Sequence, residues 1–141
     1  MSESRAETVL PSPGGILQAV PASRGAALLT AIMLIATAVV HLLDGPRSLD
    51  DTFYVGALEL ALAAACVPLA LVLIAQPARA VWIAIVSLVS VALAIYLASR
   101  TSGLPGSTDD IGNWGETLGI VNVAAEFAVI LLAGRVLERV R

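Results

Sequence analysis

"GAALLTAIMLIATAVVHLL", residues 25–43, is nineteen residues long and contains no Asp, Glu, Lys or Arg. As a helix it rises about 28 Å at 1.5 Å per residue, close to a hydrocarbon core of about 30 Å. Its apolar residues run on without the period-two alternation of a barrel strand, over about twice a spanning strand's length. The stretch therefore reads as a membrane-spanning helix, and it decides the class of the chain.

Three further stretches have the same character: "TFYVGALELALAAACVPLALVLI" at 52–74, "RAVWIAIVSLVSVALAIYLA" at 79–98 and "WGETLGIVNVAAEFAVILLAGRVL" at 114–137. The second contains Pro68, which removes a backbone donor and which membrane helices tolerate. The expected fold is all-α: an integral membrane four-helix bundle over residues 25–141, located in the cell membrane. Residues 1–24, rich in Pro, Gly, Ser and charge, read as a flexible cytoplasmic tail. The first apolar run starts after this polar lead and is long enough to span, so a cleaved signal peptide is not expected.

Composition agrees. Of 141 residues, 58% are hydrophobic and 13% charged, with a mean hydropathy of +0.91. Soluble domains carry about a quarter charged residues. A net charge of −3 gives no electrostatic case for nucleic acid. The lone cysteine, Cys66, excludes an intrachain disulfide and a thiolate zinc cluster, and reads as a small buried hydrophobe.

Arginines set the expected orientation. Arg5, Arg24, Arg79, Arg135, Arg139 and Arg141 fall on one side of such a bundle; Arg47 and Arg100 fall on the other. Both termini are thus expected in the cytoplasm, with loops 44–51 and 99–113 outside. Tyr54, Trp82, Tyr96 and Trp114 lie near span ends, as an aromatic belt would.

Polar residues gather towards the outer side. His41 closes the first span, Glu59 lies inside the second, Glu116 opens the fourth, and Asn122 and Glu126 follow within it. Helical phase puts Thr30, Thr37 and His41 on one stripe, Gly56, Glu59, Ala63 and Cys66 on another, and Gly119, Asn122 and Glu126 on a third. Ser87 and Ser90 give the third span a weaker stripe. Convergence of the stripes predicts an outward-facing polar pocket. Intramembrane carboxylates need partners: His41 and Arg100, which ends the third span, are the candidates for Glu59 and Glu126, Arg47 could fold back from the first outer loop, and Arg100 is expected to share a cluster with at least one of the two glutamates. His41 and Glu59 are expected to face each other across the first two helices at the mouth of the pocket. Asp109, Asp110 and Glu116 read as a solvated rim and as N-terminal charges favoured by the helix dipole.

"SRTSGLPG" at 99–106, with "HL" closing the first span and Tyr54-Val55-Gly56 opening the second, resembles a family of small four-span actinobacterial membrane proteins. The matching residues are His41, Ser99, Arg100, Thr101, Gly103, Leu104, Pro105, Gly106 and Glu126, over about residues 30–135. The chain departs from that pattern in carrying Glu59 and in lacking a second histidine in "DGPRSLDD" at 44–51. The resemblance implies the fold and the topology; it implies no reaction.

The sequence holds no nucleophile–base pair, no Gly-rich cofactor loop and no metal-ligand spacing, so no catalytic residue and no cofactor is expected. The expected function is a non-enzymatic accessory or small-molecule-binding module. Its site candidates are His41, Glu59, Arg100, Glu116, Asn122 and Glu126, and its partners are the lipid bilayer and a homo-oligomer or larger membrane complex. One alternative is a proton-coupled transporter or proton-conducting protein using Glu59 and Glu126. Another is a metal-dependent membrane enzyme with a mixed N/O site of His41, Glu59, Glu116 and Glu126.

Overall fold

The computed structural model describes residues 24–139. Four helices make up the described chain: α1 Arg24–Asp51, α2 Phe53–Ala75, α3 Arg79–Thr101 and α4 Thr117–Glu138. All four are long and apolar enough to cross a membrane. The tail expected over residues 1–24 lies outside the described residues, except for Arg24, which begins α1.

Each helix packs against its neighbours in sequence, and α4 closes back on α1, giving an up-and-down bundle. The closest partnership is α1 with α2; α2 and α3 touch least. One end of the bundle holds the short α2–α3 connection, Gln76–Ala78. The other holds the single-residue α1–α2 turn at Thr52 and the long α3–α4 loop, residues 102–116.

The first helix differs from expectation. The segment 44–51, expected as a loop, continues α1 through Pro46 to Asp51. The 28 residues of α1 span about 42 Å, so its last turns stand beyond a hydrocarbon core of about 30 Å. Packing sustains them. Gly45 and Gly56 are both buried, and a Cβ on Gly56 would lie 2.7 Å from Gly45 O and 2.3 Å from Leu49 N. The backbones of α1 and α2 thus touch there, as small residues permit in membrane bundles. The chain reverses at Thr52, whose extended backbone (φ −147°, ψ 97°) interrupts the helix. Its N–H donates to Ser48 O at 2.7 Å.

The loop ends α3 at Gly103, whose φ of 76° suits only a residue without a Cβ penalty. The N–H groups of Ser102 and Gly103 both donate to Ala98 O at 3.0 Å, satisfying a terminal carbonyl. Leu104–Ser107 then forms a tight turn, with Pro105 second and Gly106 (φ 73°) third. Glycines at 112 and 115 delay the fourth helix to Thr117, three residues after its expected start.

Small side chains fill the interior: Ala27, Ala31, Ala38, Ala63, Ala70 and Ala133 are buried, while Leu28, Ile32, Leu71, Val91, Phe127 and Leu131 point outward. This is the arrangement of helices solvated by lipid, where small residues let the backbones approach closely around a core that also holds Leu34, Leu73 and Ile85. Cys66 is fully buried among them, as expected. Trp82 is not a belt residue: it is 0% exposed and belongs to the core with Leu73 and Ile85. The short α2–α3 connection holds the first turn of α3 against the bundle, so that this aromatic points in. Trp114, half exposed in the loop, remains free to meet an interface.

Candidate functional site

At the loop end the helices splay, and a cleft of about 700 Å³ opens between the end of α1, the first half of α2, the second half of α3, the loop and the start of α4. His41, Glu59, Arg100, Glu116 and Asn122 all border it. Glu126 sits just beneath, on Asn122.

The three stripes on α1, α2 and α4 form the inner faces. Thr30 and Thr37 are 0% exposed, and Gly56, Ala63, Cys66, Gly119, Asn122 and Glu126 are also buried. The stripe expected on α3 is not there. Ser87 and Ser90 are exposed, and the inward face of that helix is Trp82, Ile85, Val89 and Arg100. Those four repeat at spacings of three, four and eleven, which fits one helical face better than the serines do.

Asn122 occupies the centre of a polar chain. It donates through Nδ2 to Glu126 Oε1 at 3.0 Å, one helical turn below, and its Nδ2 also lies 3.2 Å from His41 Nε2 across the α1–α4 interface. An amide nitrogen carries two N–H bonds, enough for both contacts. His41 then accepts at Nε2, which places its ring proton on Nδ1. His41 Nε2 is 3.8 Å from Glu126 Oε1, so the amide, rather than a direct hydrogen bond, joins them.

Arg100 is only 6% exposed, yet it meets neither Glu59 nor Glu126. Its guanidinium forms ion pairs with Asp110 and Glu116, and lies over the Tyr96 ring with its carbon 4.9 Å from the centroid. The expected cluster with an intramembrane glutamate is therefore corrected. The reason is local: Gly103 and Gly106 turn the loop back, Gly112 N–H donates to Arg100 O at 2.9 Å, and the loop's own carboxylates reach the guanidinium first. Asp110 and Glu116, expected as a solvated rim, are instead the two arms of this clamp. A planar guanidinium suits two carboxylates where an ammonium would not. Tyr96 is held from behind by Gly119, since a Cβ there would lie 2.8 Å from the phenol oxygen. Tyr54 Oη donates to Pro105 O at 2.7 Å and ties the loop to α2. Neither tyrosine acts merely as a belt.

Glu59 borders the cleft from α2. Asp44, Ser48, His41 and Glu116 are the polar groups acting on it. Asp44 and Ser48 come from the extension of α1 and were not legible as neighbours; His41 and Glu116 were expected in the same pocket. His41 and Glu59 thus share the cleft as expected, but the hydrogen-bonding contact of His41 is with Asn122 on α4. Sequence reasoning also missed Asp44, Ser48 and Asp51 as wall residues, because "GP" at 45–46 reads as a turn.

Among the described residues, no group of three or more His, Cys, Asp and Glu side chains is placed to hold a metal ion. His41, Glu59, Glu116 and Glu126 do not assemble as such a set: Glu116 is spent on Arg100 and Glu126 on Asn122. No family model, no curated protein and no solved structure matches the chain.

Proposed function

We propose that the protein is a multi-pass cell-membrane protein that holds a small molecule in the loop-end cleft without reacting it, and that the cleft faces outward. The observation that carries this reading is the cleft itself. Its volume of about 700 Å³ lies within the roughly 300–1,000 Å³ of ligand sites. Apolar side chains of α2 and α3 form one wall, and polar and charged side chains of the α1 extension, the loop and α4 form the rest, so the cleft offers both apolar contact and orienting polar groups. The apolar outer surface calls for the bilayer as partner.

Saturation-transfer NMR on the full chain in a nonionic detergent tests the reading, with 2-phenylethanol and 2-phenylethylammonium as probes. Ala92 borders the cleft, and Ala92→Trp fills it. At least one probe should receive saturation from the wild type and lose most of it in Ala92→Trp. If neither probe shows a difference between the two proteins, the cleft is not a binding site.

Glu126 supports a second reading, proton-coupled exchange. It is 0% exposed, and its Oε2 has no hydrogen-bond partner. Intramembrane carboxylates of this kind serve proton pathways. Liposomes carrying the protein would then dissipate a pH gradient faster than empty ones, and Glu126→Gln would abolish the difference. Equal rates with and without protein would sink this reading.

A further inference from the structure

The charged side chains that border the cleft are mostly acidic, and its unpartnered buried atoms are two acceptors and the Nε donor of Arg100. Six carboxylates line it: Asp44, Asp51, Glu59, Asp109, Asp110 and Glu116. Only Arg47 and Arg100 oppose them, and Arg100 is already held by Asp110 and Glu116. Low-dielectric walls focus such a field and raise the local concentration of cations.

Hydrogen-bonding character points the same way through a different residue. Asn122 is 4% exposed and borders the cleft; its Nδ2 is spent inward on Glu126 and His41, while its Oδ1 has no partner. Glu59 Oε2, on the facing helix, has none either. A buried acceptor without a donor is unfavourable, and a ligand that supplies the donor removes the penalty. The same cleft is bordered by the apolar Leu58, Leu62, Leu88, Val91 and Ile95 of α2 and α3.

From this juxtaposition we infer that the cleft binds a small amphipathic primary ammonium ion, its N–H donors on Glu59 and Asn122 and its apolar part against the α2–α3 wall. Other cations fit less well. A metal ion lacks a ligand set among the described residues. A quaternary ammonium has no N–H to give, and it needs open aromatic faces; the one over the cleft, Tyr96, is covered by Arg100. An anion meets the wrong field, and a neutral alcohol gains nothing from it.

This inference rests on the cleft being a ligand site, and the test separates the two. Four probes share one phenyl body: 2-phenylethylammonium, 2-phenylethanol, 3-phenylpropanoate and trimethyl(2-phenylethyl)ammonium. Their affinities for the full chain in nonionic detergent are measured by saturation transfer, with Ala92→Trp subtracting partition into the micelle. The primary ammonium should bind about tenfold or more tighter than the alcohol, as a charge-assisted hydrogen bond provides. Glu59→Gln should bring it to within about twofold of the alcohol measured on the same variant. Asp44→Asn, which leaves both acceptors in place, should weaken the ammonium about threefold through the field alone. Equal binding of ammonium and alcohol, preference for the propanoate, or a trimethyl analogue as tight as the primary amine would overturn the inference while leaving the cleft a binding site. So would selectivity that survives Glu59→Gln in a protein whose thermal unfolding matches wild type. If no probe distinguishes wild type from Ala92→Trp, the cleft reading itself fails.

Discussion

Gly45 and Gly56 bring the backbones of α1 and α2 into contact: a Cβ added to Gly56 would lie 2.7 Å from Gly45 O. The obstructing atoms are backbone, so no rotamer change relieves the clash. Gly56→Ala should therefore destabilise the bundle by about 1–3 kcal/mol, the usual range for overpacking. Gly134 on α4 is the control, because nothing lies within 4 Å of a Cβ there. Gly134→Ala should be neutral or stabilising by up to about 1 kcal/mol, since alanine is the better helix former. Unfolding in detergent, followed by circular dichroism, reads both. Equal effects of the two substitutions would mean that the helices do not cross at Gly56.

The Asn122–Glu126 hydrogen bond predicts a coupling. Asn122→Leu removes the donor and leaves a buried carboxyl group without it. Leaving a buried acceptor without its donor costs about 1–3 kcal/mol, so the single change should lower stability by that amount. In a Glu126→Leu background the same change should have much less effect, giving a coupling energy of at least about 0.5 kcal/mol. Strict additivity would show that the two side chains act independently.

The parts of this molecule that follow from short-range pattern were legible in the sequence, and the parts that follow from loop conformation were not. Apolar run length gave the four spans, because lipid demands continuous helices. The 3.6-residue period gave the buried faces that hold Thr37, Glu59 and Asn122. The extension of α1 over residues 44–51 escaped notice because "GP" signals a turn, whereas a glycine packed against α2 and a membrane-edge proline are both compatible with helix. The partners of Arg100 escaped for another reason. Which carboxylate reaches it depends on positive-φ glycines at 103, 106 and 112, and those set the path of the loop in a way that residue spacing does not encode. Trp82 shows the same limit in a helix. Position near a span end fixes axial depth; whether the ring faces lipid or core is fixed by rotation about the axis.

The Arg100 clamp makes a prediction that its corrected partners alone satisfy. Arg100→Ala leaves Asp110 and Glu116 beside each other without a counter-charge. Asp110 and Glu116 keep 45% and 31% of their side-chain surface exposed, so solvent screens much of the effect. A loss of about 1–2 kcal/mol is expected, together with faster proteolysis of the loop 102–116. Adding Asp110→Asn and Glu116→Gln should recover part of it; adding Glu59→Gln should recover none. Recovery by Glu59→Gln instead would return Arg100 to the intramembrane glutamate and undo the clamp.

The side of the membrane that the cleft faces can be read from three cysteine positions. Counting arginines, six against two, predicts the termini in the cytoplasm and the loop 102–116 outside. The native thiol, Cys66, is 0% exposed and should stay silent to an impermeant maleimide. Asp50 and Thr108 are exposed at the cleft end of the bundle, and Gln76 is exposed at the opposite end. In intact cells Asp50→Cys and Thr108→Cys should be labelled, and Gln76→Cys only after permeabilisation. The reverse pattern would turn the cleft inward, so that an ammonium ligand would have to come from the cytoplasm, and the arginine count would have failed for this chain.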